Sequence, residues 1–204
     1  MASVVDVVNT ALSMIGDAAE VTSIDPADGS AQADHAARFY PTARDETLQR
    51  HTWRFATKRR SLSELSENPV DHWAYAYALP TDCIQPVAVL LPESTDDTKT
   101  QDFEVESSDD GTDILYCNVE DAVLKYVWRQ TDTTRWSPLF TRAVARRLAA
   151  DLSGPIMRDT KESVAHLKVY EEEDLPRAIA ADASGRQTSV FKNFTPSHIE
   201  ARGS

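Results

Sequence analysis

The chain has 204 residues, 41% of them hydrophobic and 26% charged, and its 33 acids against 21 bases leave a net charge of −12. It is long enough to bury most of its apolar surface, and no apolar run approaches the ~20 residues that cross a bilayer. The N-terminus lacks the basic start and apolar run of a secretory signal, and the negative balance lacks the cationic footprint that tight duplex binding requires.

Synthesis and folding in a cytoplasm are therefore expected, with no membrane partner. The acids are concentrated: nine carboxylates against one lysine lie between Glu93 and Asp113, and Glu171, Glu172, Glu173 and Asp174 form a second cluster. Such a surface lets DNA slide past without sticking, and it also serves plain solubility.

In chain order, Ser3 can cap a first helix whose apolar stripe is Val4, Val5, Val8, Ala11, Leu12 and Ile15, and Gly16 supplies a left-handed stop. Ser30 opens a second helix with Ala33, Ala36, Ala37, Tyr40, Thr47 and Leu48 on its buried side. Pro41 lies inside it, where it deletes a hydrogen bond and crowds the preceding turn, so a kink or two abutting helices are expected. The helix runs out into Trp53-Arg-Phe55-Ala and then Lys58-Arg-Arg60. Two apart in an extended segment, Trp53 and Phe55 point to one side as local anchors or an exposed docking pair, leaving the three cations to water or a partner.

From residue 63 to 130 the period becomes strand-like. Ile84–Leu91, Phe103–Glu106, Ile114–Cys117 and Val123–Trp128 are short, β-branched and aromatic, with a hairpin-type turn at Asp109-Asp-Gly111. In the last strand Val123, Lys125 and Val127 oppose Leu124, Tyr126 and Trp128. The segment 92–102 reads as a mobile acidic loop. Cys83 and Cys117 read as two buried free thiols, with a facing pair across a sheet as the alternative.

Helices then return. Ser137-Pro138 is a cap with proline at the first helical position, and Leu139, Phe140, Ala143, Val144, Leu148 and Leu152 mark the buried face of a third helix that Gly154-Pro155 should end. Asp159 and Glu162 suggest a capping box for a fourth, with a stripe of Val164, Leu167, Tyr170, Leu175 and Ile179 bent at Pro176. The expected class is α+β, mainly α: a helical bundle (1–62 and 131–184) with a small antiparallel β insertion (63–130) and an extended C-terminal arm (185–204).

No phosphate-binding glycine loop, nucleophile elbow, zinc helix or EF-hand sequence is present, and the five histidines are scattered. No catalytic residue, cofactor or metal is expected. His51 reads as a packing or capping residue. Arg142, Arg146 and Arg147 on the third helix read either as an exposed polar face or as an inter-subunit contact onto acids such as Glu171 and Glu172 of a neighbour.

Three blocks carry a family resemblance. They are Leu48, His51, Trp53, Phe55, Ala56 and Arg59; then Tyr77, Leu79, Pro80, Asp82 and Cys83; then Phe140, Ala143, Ala145, Leu148 and Ala149. In that order they resemble the tail tubular protein A-like head-to-tail adaptors of short-tailed bacteriophages, and Ala11–Gly16 and Val21–Ile24 fit the family's usual start. The likeness spans roughly residues 4–184. It implies a virion protein at the neck between capsid and tail. Twelve copies would form a ring that joins the portal protein to the tail nozzle protein and continues the DNA channel without specific DNA binding.

By the same analogy the arm 185–204 would lie along the portal through Val190, Phe191, Lys192, Phe194 and Ile199. Ordering its backbone costs about 20–40 kcal/mol at ~1–2 kcal/mol per residue. Four apolar anchors at about 1.5–3 kcal/mol each do not recover that alone, so the arm is expected to be disordered until a partner holds it. A tail-associated cell-wall hydrolase using a carboxylate pair is the alternative function, and an interaction module unrelated to virions is a third.

Overall fold

The computed structural model describes residues 2–68, 72–94, 96–108 and 110–185. The expectations for Val190, Phe191, Lys192, Phe194 and Ile199 lie outside the described residues. The chain is α+β, about 45% helical and 22% strand, with helices towards both ends and strands between.

Helix α1 (Val4–Met14) begins in a complete capping box: the Asp6 amide donates to Ser3 Oγ at 3.1 Å and the Ser3 amide to Asp6 Oδ2 at 2.7 Å. Gly16, at φ +80°, makes the left-handed turn after it. Helix α2 (Ala31–Gln49), capped by Ser30, is one helix that runs through Pro41. Pro41 sits on its exposed side, where water can take the carbonyl that proline leaves without a donor.

Strand β1 (Thr57–Ser61) starts earlier than the expected change of period at 63. Its three cations hide any apolar alternation, yet charged residues are what an exposed edge strand carries. β2 (Ser63–Glu64), β3 (Tyr75–Ala78), β4 (Cys83–Leu90), β5 (Thr100–Gln101), β6 (Phe103–Ser107), β7 (Asp113–Cys117) and β8 (Val123–Trp128) follow. They form two four-stranded antiparallel sheets, ordered β1-β8-β4-β5 and β2-β3-β7-β6. Part of the segment expected as a mobile loop is thus paired, through Leu90 with Thr100 and Val89 with Gln101.

The alternation expected in β8 decides the layering. Leu124 and Tyr126 enter a core shared by the two sheets with Tyr77, Val89, Leu115 and Cys117. Val127, on the opposite face, joins the helical core. Leu62 crosses from one sheet to the other, its amide bonded to the Ala122 carbonyl at 2.9 Å.

Helix α3 (Pro138–Leu152), capped by Ser137, lies at the centre of the helical layer against α1, α2 and α4. Its alanines at 143, 145 and 149 are fully buried and let neighbouring backbones approach closely. Gly154-Pro155 does not end this helical path. A wide π turn carries it from Ser153 to Met157, and Arg158, at φ +56°, closes it.

Helices α4 (Thr160–Val169) and α5 (Leu175–Ser184) are joined by a second π turn, Tyr170–Asp174, immediately before Pro176. The wider turn falls where Pro176 has no N–H to donate, so the helical path continues past the proline into α5. The box at Asp159 is half made: its carboxylate accepts from the Lys161 amide at 2.8 Å, while Glu162 lies towards His166.

The expected stripe is corrected at its first two positions. Val164 and Leu167 are 67% and 40% exposed and His166 faces inward instead, while Tyr170 and Leu175 are buried and Ile179 packs against the helical core as expected. Ser163 donates to the Ala150 carbonyl at 2.7 Å and Arg146 donates to His166, so polar pairing with α3 sets the rotation of the helix. Among the described residues no helix is long and apolar enough to cross a membrane.

Candidate functional site

The first and third sequence blocks meet where the helices join the sheets, and the second, in the inter-sheet core, reaches the segment after the first through Asp82 and Lys58. Trp53 is fully buried as the residue before a single 3-10 turn, Arg54–Ala56, rather than part of an extended run. That turn still brings both anchors to one place. Trp53 and Phe55 each meet Phe140 edge to face, with centroids 4.8 and 4.9 Å apart. The Trp53 indole N–H donates to the Thr47 carbonyl at 3.1 Å, and the Trp53 carbonyl accepts from Ala56 N and Thr57 Oγ1. Asp182 of α5 accepts from the Arg54 amide at 3.3 Å and lies 3.4 Å from His51 Nε2.

Asp82 ties the second block to the first. Its carboxylate accepts from Lys58 Nζ at 2.9 Å and Tyr126 Oη at 3.0 Å, while its carbonyl accepts from the Arg129 amide at 2.8 Å. Burial opposes ionisation of Asp82, but the Lys58 ammonium and the Tyr126 hydroxyl outweigh it and hold the carboxyl below its usual range. Lys58 also lies 3.3 Å above the Trp128 ring centroid. Arg59 and Lys125 converge on Asp97, so the acidic segment answers two of the cations on the neighbouring strands. The Tyr77 hydroxyl donates to the Val119 carbonyl at 2.7 Å.

The α3 arginines pair within the chain. Arg142 and Arg146 each direct Nε to one oxygen of Asp174 at 3.0 Å, and this carboxylate is only 3% exposed. Arg146 Nη1 also donates to His166 Nδ1 at 3.0 Å. Arg147 bridges Glu46 of α2 and Asp151 of its own helix. Glu171 pairs with Arg50, and Glu172 lies 4.0 Å from Lys168. The acidic cluster 171–174 therefore does receive α3 arginines, through Asp174 of the same chain. Sequence reasoning named the arginines and the cluster but not the matching of Asp174 to Arg142 and Arg146. The available signal was the i, i+4 spacing of the two arginines, which lets both reach one acceptor.

Both cysteines are free thiols, Cys117 buried and Cys83 half-buried in the inter-sheet core. Burial pushes Cys83 up to about 11 and raises Cys117 as well, which keeps both thiols protonated at neutral pH. Among the described residues no group of three or more His, Cys, Asp or Glu could hold a metal ion. At the joint Trp53, Phe55 and Phe140 tie the helices to the start of β1, and Asp82 ties the start of β4 to β1 and β8 through Lys58 and Tyr126.

No protein-family model matches the chain, and no curated protein matches it.

Proposed function

We propose that the chain is a structural adaptor of a short-tailed phage virion. In this reading twelve copies form a ring that joins the portal protein to the tail nozzle protein, with the DNA channel running through it. Each copy is a helical bundle with a small β insertion and an arm, residues 185–204, that lies along the portal. Arms displayed around one ring raise the effective concentration of weak contacts and make the docking avid.

The observation that carries this reading is the joint. Residues of the three ordered blocks, Trp53 and Phe55, Asp82, and Phe140, hold α2, β1, β4 and α3 together. Two further features support it. Val164 and Leu167, one helical turn apart, together with exposed Met157, give α4 and its approach an aliphatic surface suited to burial in an assembly. The net charge of −12 suits a channel that DNA passes without adhering.

The test is co-sedimentation with portal rings, read beside native mass measurement. The full chain should join portal rings at twelve copies, and a chain lacking residues 185–204 should stay folded but remain in the supernatant. Retained co-sedimentation of the truncated chain would refute the arm's role. Release of fragments from purified peptidoglycan, abolished by one carboxylate substitution, would replace the adaptor reading with a hydrolase.

A further inference from the structure

The β insertion has two lateral sides of opposite character. Its sheets are ordered β1-β8-β4-β5 and β2-β3-β7-β6, and Leu62 carries the chain directly from β1 into β2. Asp102 carries it in the same way from β5 into β6. Residues 57–64 therefore supply the outer strand of both sheets on one side, and residues 100–107 supply both on the opposite side.

An outer strand has a neighbour on one flank only, so alternate backbone groups point outward. The Leu62 amide bonds inward to the Ala122 carbonyl at 2.9 Å, which turns the N–H and C=O of Arg59 and Ser61 away from β8. The Ser108 amide bonds inward to the Thr112 carbonyl at 2.9 Å, which turns those of Phe103, Val105 and Ser107 away from β7.

Charge distinguishes the two sides. Residues 57–64 carry Lys58, Arg59 and Arg60 against Glu64, while residues 100–107 carry Asp102, Glu104 and Glu106 and no cation. Asp82 and Asp97 answer Lys58 and Arg59 within the chain. Arg60 is exposed and makes no ion pair among the described residues, and the same holds for Asp102, Glu104 and Glu106. Glu104 accepts only from the Trp73 indole N–H, at 3.4 Å. Like charge keeps each edge from pairing with its own kind, but it invites the opposite edge of another copy.

The relief is complementary as well. A recess of about 200 Å³ lies beside Arg60, walled by Leu62, Ala78, Leu79 and Pro80. On the other side Val105 is 36% exposed, with Glu104 and Glu106 flanking it in β6. Val105 shares a face with Phe103, which packs on the inter-sheet core, and Arg60 pairs in register with Leu124 of that core. Knob and recess thus lie at the two open ends of one apolar layer.

We infer that these sides meet between copies: residues 100–107 of one chain dock on residues 57–64 of the next, with Val105 in the recess and Glu104 and Glu106 about Arg60. Both halves of the contact belong to this chain, so a second copy is the partner that satisfies them. Because the halves differ and lie on opposite sides, the contact is head to tail and repeats from copy to copy until the array closes. This names a subunit contact for the ring proposed above, and it rests on that reading for closure at twelve copies.

Sedimentation velocity and native mass measurement of the full chain provide the test. The wild-type chain should associate, and less so as salt is raised, because the charges that meet are exposed. Arg60→Glu in one variant, and Glu104→Lys with Glu106→Lys in another, should each weaken association about tenfold, since attraction across the strands becomes repulsion. All three positions are exposed, so both variants should keep the wild-type melting temperature. Mixed in equal amounts, the two variants should associate again in alternation, because each then meets a side of opposite charge. Val105→Ser should weaken association about fivefold through lost apolar burial. Association that responds in this way but gives open chains, or a count other than twelve, keeps the contact and removes the dodecameric reading. A twelve-copy assembly that survives both reversals keeps the ring and overturns the contact. A mixture that stays dissociated, or a wild-type chain that remains monomeric at every concentration, overturns the contact too, while portal co-sedimentation still decides the adaptor reading.

Discussion

Arg146 and Asp174 meet Nε to Oδ2 at 3.0 Å, and both side chains are removed from water where α4 and α5 join against α3. The carboxylate is shared with Arg142, whose own side chain is half in solvent. Removing one partner from a buried pair leaves an uncompensated charge, which costs about 3–5 kcal/mol. Asp174→Ala should therefore lower the urea midpoint strongly. Arg142→Ala should cost under about 1 kcal/mol, since exposed pairs contribute little. Comparable losses in the two variants would contradict this division of roles.

The aromatic joint predicts a second large effect. Trp53→Ala or Phe140→Ala removes a fully buried ring and leaves a cavity between helices and sheet, at a cost of about 3–5 kcal/mol. Because the two rings contact each other, the double variant should lose less than the sum of the singles. Strict additivity in chemical denaturation would show that the rings act independently.

His166 predicts the pH dependence. Burial first, and the Arg146 guanidinium second, hold its ring below the ordinary value of 6.5, while Glu162 at 4.0 Å opposes them. The unfolded chain then takes the proton first. Its contribution to stability is complete above pH 6.5 and is lost as pH falls through the lowered folded value. Protonation also removes the Nδ1 acceptor that Arg146 uses. The urea midpoint should drop between pH 7.5 and 5, a range above the window in which the depressed carboxylates Asp6, Asp28 and Asp97 take up protons. In His166→Gln the drop should shrink, and an unchanged drop would assign it to other groups.

The exposed aliphatics of α4 separate stability from assembly. Val164→Lys and Leu167→Lys change solvent-facing positions, so each should alter folding stability by less than about 0.5 kcal/mol. If the proposed ring buries this surface, both variants should shift the native mass distribution towards monomer. Full assembly in both would move the subunit contact to another face.

Local signals read from the sequence held at three helix starts where a residue's partner lies close along the chain, while the box of Asp159 and Glu162 was only half made. Ser3 with Asp6, Ser30 with Ala33 and Ser137 with Phe140 form the expected caps, because three residues of separation leave no other geometry for that hydroxyl. The two faces of β8 were equally legible, because successive residues of a strand point to opposite sides: Leu124 and Tyr126 enter the inter-sheet core and Val127 the helical core. The first two positions of the α4 stripe failed for the complementary reason, while Tyr170 and Leu175 are buried as read. Val164 and Leu167 have helical spacing, but the energetic choice was made by Arg146 and the Ala150 carbonyl on another helix.

The order of amino acids alone determined the α+β class and the caps at Ser3, Ser30 and Ser137, consequences of short-range sterics and periodicity. The free state of Cys83 and Cys117 and the packing of Trp53 and Phe55 on Phe140 came instead from the folded layers. The three-dimensional arrangement decided which charges meet. Asp82, Asp97, Asp174 and Asp182 each find cations far away in the chain. Coulomb attraction carries no sequence spacing, so only the packed layers select among 33 acids and 21 bases.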